Sequence, residues 1–229
     1  MKYSLPVCLI AVTLTVGGVP PASAQAPPQQ KGVSVQMPRT TSAVAYPAAD
    51  NANARIVAVT ADGTFYFGTK PVTPDQLAEE MKVTPHNSDA KLYIKADAHA
   101  PFAYVKNALR PARSANFDEV VLLTSQPGTP QVGEMVPPQG LDVLLRAPSG
   151  GEVIPVRLST SAQGPTLNVN DKLAPWSELE STLKGLVHSR TQYVQVEAND
   201  AVSFADVIRV IDEARAAGAT VALPIFHPL

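Results

Sequence analysis

One cysteine is present, Cys8, and it lies inside the apolar N-terminal run. The rest of the chain therefore builds no disulfide and no thiolate metal site. Excess basic charge is also missing. Eighteen Lys and Arg against 20 Asp and Glu leave a formal net charge of −2, so no positive field is available to hold nucleic acid. Long hydrophobic runs are absent too. The stretch from Leu5 to Val19 is shorter than the roughly 20 apolar residues a spanning helix needs, and Pro6, Gly17, Gly18, Pro20 and Pro21 bracket or interrupt it. That stretch contains no Asp, Glu or His. There is no G-x-S-x-G, no phosphate-cradling glycine loop and no H-E-x-x-H. His86, His99, His188 and His227 are scattered, and His86 and His188 read as surface loop residues. Asp97 and His99 stand two apart and read as a solvated strand end rather than a catalytic dyad. These absences argue against an enzyme, and no cofactor or metal is expected.

Proline, in contrast, is plentiful at 22 residues, and it gathers in segments that punctuate the chain. Lys2, the short apolar run and Ala22-Ser23-Ala24 form the pattern of a cleaved signal peptide over residues 1–24. The competing reading is an uncleaved N-terminal anchor in the inner membrane. Residues 25–54, rich in Pro, Ala and Gln, read as an extended tether that includes the strand-like island "GVSVQMP". Ser125–Gly140 is rich in Pro and Gly and reads as a linker, with its core at 126–140.

The two segments flanking that linker repeat one another. "FAYVKNALRPAR" begins at Phe102 and "FADVIRVIDEAR" at Phe204, an offset of 102 positions. The same offset pairs Thr64 with Thr166, Leu77 with Leu179, Ala96 with Ala198 and Ala115 with Ala217. A constant register through two helices and a strand indicates duplication. The pattern predicts an α+β chain of two similar β-β-α-β-α-β units, 55–125 and 141–229. Each should pack two helices on one face of a small mixed sheet.

Local signals support that order. Ala61-Asp62-Gly63 between β-rich runs marks a hairpin. Thr73 can cap a helix whose buried stripe is Leu77 and Met81, and Phe102, Val105 and Leu109 share a face of the next. Pro111 should kink or shorten that helix. In the second unit, Trp176, Leu179, Leu183 and Leu186 or Val187 form an apolar side, with Trp176 as a packing anchor. Ser203 caps the last helix and Gly218 ends it. Asp212 is close enough in sequence to pair with Arg215. Pro224 suggests that the last strand lies at a sheet edge.

Several of these stretches, in order, resemble the periplasmic part of the ExbD/TolR family. The matching residues are Val33, Val35, Met37 and Pro38, then Asp62 and Gly63 after Ala61, then Pro71 and Val72, then Lys95, Ala96 and Asp97. The second half is similar to the same unit, but reads Glu197-Ala198-Asn199 where the first has Lys-Ala-Asp. "GLDVLLRAPSGG", from Gly140, echoes the family's juxtamembrane segment. The resemblance implies a periplasmic protein associated with a proton-driven motor that energises TonB-type uptake or maintains the envelope. It implies an ExbB/TolQ-like motor subunit or a TonB-like protein as partner. The family's proton-carrying aspartate lies in its transmembrane helix, where an ionisable group is costly and functional. Leu5–Val19 has no such acid, so this chain is not expected to conduct protons itself.

Two function classes remain open. One is a binding module, with the strand Val33, Val35, Met37 and Pro38 adding to a partner by main-chain pairing. The other is a structural envelope protein that binds peptidoglycan. In either case the two units are expected to pair within the chain, because a short linker sets an effective concentration on the order of millimolar. N-terminal sequencing of periplasmic extract should begin at Gln25. Intact Met1 in a carbonate-resistant membrane fraction would instead establish the anchor.

Overall fold

The computed structural model describes residues 33–83, 91–125, 136–189 and 191–225. The expected signal peptide, His86 and His227 lie outside them. A two-residue strand, β1 (Val44–Ala45), opens the described chain. The first unit follows as β2 (Arg55–Val59), β3 (Phe65–Phe67), β4 (Lys70–Val72), α1 (Pro74–Val83), β5 (Leu92–Ala96), α2 (Phe102–Ser114) and β6 (Glu119–Thr124). Next comes β7 (Gln139–Leu144). The second unit is β8 (Glu152–Ser161), β9 (Gly164–Val169), β10 (Lys172–Leu173), α3 (Leu179–Leu186), β11 (Gln192–Ala198), α4 (Phe204–Ala216) and β12 (Thr220–Ala222). The duplication is thus visible in the order of elements, with a short third strand added to each expected hairpin.

All of these strands belong to one mixed sheet, ordered β10-β9-β8-β11-β12-β7-β6-β5-β2-β3-β4, with β1 beside β7. Each unit contributes five strands in matching order. The strand between them, β7, lies antiparallel to β6 and parallel to β12. Gln139 and Gly140, at the end of the expected linker, already belong to it. Gly140 allows a close approach here. A Cβ on it would lie 2.6 Å from Val121 Cγ1 and 3.0 Å from the Leu122 carbonyl oxygen.

Pro224 misled the reading of the last strand. β12 is interior, between β11 and β7, and its ladder ends at Ala222, before the proline. Leu223 still donates to Leu144 O at 2.8 Å, so Pro224 falls where no donor is needed. The true edges are β4 and β10. β4 carries Lys70 and Pro71, a charge and a missing N–H that blunt further pairing. Beside β10, Ala174 N and Trp176 Nε1 cover the outer side of β9 by donating to Leu167 O and Pro165 O.

The helices form for local reasons. At α1, Thr73 Oγ1 accepts from Gln76 N while Gln76 Oε1 accepts from Thr73 N, a reciprocal capping box. At α4, Ser203 accepts from Asp206 N. Both α2 and α4 end in the same double-bonded stop. Phe117 N reaches Ala112 O and Asn116 N reaches Arg113 O in the first unit; Ala219 N reaches Ala214 O and Gly218 N reaches Arg215 O in the second. The left-handed residue is Asn116 in one copy (φ 65°) and Gly218 in the other (φ 81°). Pro111 does not shorten α2, which matches α4 residue for residue at 13 residues. It sits in the last turn, where one lost hydrogen bond removes little.

Leu77, Met81, Phe102, Val105 and Leu109 are buried as their spacing requires, and so are Leu179 and Leu183. They belong to one continuous core that joins both units, with Leu141, Val143 and Leu145 of the central segment among its members. A smaller cluster, Ala49, Tyr93, Val121 and Leu123, lies on the other face of the sheet. A shared core predicts shared stability. Leu109→Ala, in the first unit, should cost about 2–5 kcal/mol. Trp176 is the only tryptophan and sits in the second unit. Its fluorescence transition in urea should nevertheless move with that loss and coincide with far-UV circular dichroism. An unmoved tryptophan transition would show two independent units.

Candidate functional site at the strap and the unit junction

Residues 33–46 form a strap that crosses both units. Lys95 Nζ donates to Val33 O at 2.8 Å. Gln36 N donates to Asp97 Oδ2 at 3.0 Å, and Ala98 N donates to Gln36 O at 2.8 Å. Farther along, Ser125 N reaches Pro38 O, Thr40 N reaches Ser125 O, and the buried Thr40 and Thr124 hydroxyls meet at 2.7 Å. The strap then passes to the second unit. Asp212, on α4, accepts from Thr41 N, Thr41 Oγ1 and Ser42 N at 2.8–3.1 Å. Val44 and Ala45 pair with β7 as β1, and Tyr46 N donates to Pro138 O.

Three expectations change in this light. The segment read as a free tether is docked from Val33 onward. Asp212 does not pair with Arg215; it holds the strap, and Arg215 instead bonds Asp142 at 3.0 Å. Asp142 also accepts from the Tyr46 hydroxyl. Burial, and after it Asp142, pushes the Tyr46 hydroxyl far above the ordinary tyrosine value. Nor is Asp97 a solvated acid, since its side chain is only 14% exposed. Burial raises its pKa, but hydrogen bonds from His99 N, Gln36 N and the His99 ring together outweigh that and hold it below the ordinary aspartate value. His99 is the exposed member of this pair.

The family-like positions therefore sort by geometry. Lys95 and Asp97 touch the strap that carries Val33, Val35, Met37 and Pro38. Pro38 is buried, and the other three strap residues are half-buried. Asp62 and Gly63 form the β2–β3 turn. The Asp62 carboxyl accepts from Thr60 Oγ1 and from Thr64 N, and these bonds, Thr60 first, lower its pKa. Gly63 lies against the Tyr104 ring, 2.8 Å from where a Cβ would stand, with φ 85°. Pro71 lies on the β4 edge. His188 is exposed and away from these groups. Trp176 packs partly against the core beneath Arg209, 4.7 Å from the ring centroid.

The junction itself is reciprocal. Phe102 N donates to Val202 O at 2.8 Å, and Phe204 N donates to Ala100 O at 2.9 Å. Ala103 N donates to Asp200 O at 3.1 Å, and Ala205 N donates to Ala98 O at 2.9 Å. Each pair is the other displaced by the repeat offset. The starts of α2 and α4 thus meet as the same patch does in a two-fold dimer. Sequence reasoning found the two helices but not this contact, because main-chain pairing leaves no residue signature.

A family model described as biopolymer transport protein ExbD/TolR matches residues 22–127 and again 134–225. No curated protein and no solved structure matches the chain. Among the described residues no helix is long and apolar enough to cross a membrane.

The strap is held mainly by hydrogen bonds, several of them at the surface, so it is expected to open before the core unfolds. Asp97→Ala should cost roughly 1.5–3 kcal/mol, the range for hydrogen bonds to a charged group. Amide exchange at Gln36 should accelerate while exchange at Val105 stays slow. Because the folded pKa of Asp97 lies below its ordinary 3.8, its contribution is complete above that value and falls away as pH drops through it. Asp97→Asn should flatten this acid limb in pH-dependent denaturation.

Proposed function

From the premise that the chain belongs to the ExbD/TolR family, matched twice along its length, we propose that it is a fused pair of the family's periplasmic units that serves as a passive binding element of an envelope transport motor. The family is a transport family and not an enzymatic one, so membership implies association with a biopolymer transport system. The finer role is our reading. The observation that carries it is the reciprocal junction between Ala98–Ala103 and Asp200–Ala205. Such a junction uses up, within one chain, the surface through which two separate copies would meet. The bound partner would be an ExbB/TolQ-like motor subunit or a TonB-like protein. The chain would not carry protons, since Leu5–Val19 holds no ionisable acid.

The strap is the element best suited to respond to such a partner. Its main chain already makes strand-like bonds through Gln36, Pro38 and Thr40. A partner strand that competes for those bonds would displace it by strand exchange. Co-expression with an ExbB/TolQ-like multi-helix motor subunit, followed by affinity purification of this chain, tests the reading. Co-purification is expected, as is stronger capture of a TonB-like periplasmic segment by Asp97→Ala, in which the strap is loosened. Sedimentation with purified cell wall in place of either protein would favour the peptidoglycan-binding alternative.

A further inference from the structure

The start of the strap covers a cavity. On the sheet face opposite the helices, a space of about 290 Å³ separates the strap from β2, β5 and β6. Ile56, Ala58, Lys95 and Leu123 line its sheet side, and Val33 and Met37 line its strap side. Ala58 makes the room. It is the ladder partner of Lys95, and its small side chain leaves that part of the sheet face unfilled. The second unit lacks this arrangement. The corresponding ladder pair is Arg157 and Glu197, whose side chains meet at 3.1 Å. The segment that echoes the strap, from Gly140, is committed to the sheet as β7. Beside that pair lies a cleft of about 350 Å³, where Arg157 and Glu197 face Lys106 and Arg110 of α2, and among the described residues no strap lines it.

The hold on the strap is uneven along its length. Before Met37 the strap is held through Lys95, Asp97 and Ala98. The bond from Gln36 N to Asp97 is exposed, so water competes for both groups. From Met37 onward the grip tightens. Ser125 Oγ donates to Met37 O, Ser125 N donates to Pro38 O, and Thr40 N donates to Ser125 O. Pro38 and Thr40 are buried, whereas Ser34 and Gln36 are exposed. The Thr40 and Thr124 hydroxyls meet in buried surroundings. Segments with little buried surface open at lower free energy than their neighbours. Lys95 adds a bias toward opening. Burial lowers its pKa, and the closed strap offers its ammonium a carbonyl oxygen rather than a carboxylate. Opening returns that ammonium to water, which favours the charged form.

We infer that Val33–Gln36 is a lid that opens by itself, pivoting at Met37 and Pro38 while the rest of the strap stays docked, and that it controls entry to the cavity beneath. Pro38 suits the pivot, because its ring fixes φ and gives the docked part a constant starting direction. The inference concerns the free chain and not its association with a motor, so each can fail alone.

Thiol labelling tests it. With Cys8→Ser the chain has no cysteine of its own. Ala58→Cys then places one thiol in the cavity, and Val105→Cys places one in the main core; both positions are buried. Iodoacetamide should label position 58 at least about tenfold faster than position 105, because lid opening costs less than unfolding. Labelling at 58 should stay nearly flat in low urea while labelling at 105 rises steeply, since the lid exposes little surface. Asp97→Ala should speed labelling at 58 by about tenfold or more, the worth of one hydrogen bond to a charged group. Asp212→Ala, which frees Thr41 and Ser42, should leave that rate unchanged, because those bonds persist when the lid alone opens. Amide exchange at Gln36 and Ala98 needs no introduced thiol and should respond to the two variants in the same way. Equal rates and urea slopes at 58 and 105 would overturn the lid, as would a rate at 58 that ignores Asp97→Ala. An equal acceleration by Asp212→Ala would show instead that the strap leaves as one piece.

Discussion

The central strand β7 must satisfy two neighbours at once. Its full length pairs antiparallel with β6 of the first unit, and its end pairs parallel with β12 of the second. A strand hydrogen-bonded on both sides leaves no edge between the units. Leu141, Val143 and Leu145 carry the same continuity into the core on the helix face. Two units of this size have little core each, and small domains are marginal when isolated. The shared strand turns two modest cores into one.

Fusion also allows the copies to diverge. In a symmetric dimer any change appears on both sides of the interface. Here Lys95-Ala96-Asp97 can grip a strap while Glu197-Ala198-Asn199 leaves its crevice open. The strap then stitches the halves further, through Asp97 on one unit and Asp212 on the other. Both carboxylates accept from main-chain N–H groups of the strap, so they hold it in place.

The strap's chemistry suits reversible docking. Its bonds to Asp97 and Asp212 lie in exposed or half-buried surroundings, whereas the Thr40–Thr124 contact is buried. Bonds of this kind contribute about 0.5–1.5 kcal/mol each when neutral. Regions with few buried apolar contacts open at lower free energy than the core. Strap release should therefore need less free energy than unfolding of the core.

Much of this architecture was legible in the sequence. The constant offset identified the repeat, and apolar spacing identified the buried faces of α1, α2 and α3. Ser203 and Gly218 marked the ends of α4, and Thr73 marked the start of α1. These signals are local: a cap, a stripe or a turn acts within a few residues, so the chain itself records them. The errors were of another kind. Pro224 could not reveal that β12 is interior, because the ladder stops two residues earlier. Asp212 and Arg215 are neighbours on a helix, yet each found a better-placed partner from a distant segment, Thr41 and Ser42 for one and Asp142 for the other. Nor could any motif show Lys106 and Arg110 of one unit facing Arg157 and Glu197 of the other. Sequence determined the units, their repetition and their family. The tertiary structure alone decided how they join, where the strap lies and where a cleft stays open, because main-chain hydrogen bonds and contacts between remote segments depend on position in space and leave no pattern along the chain.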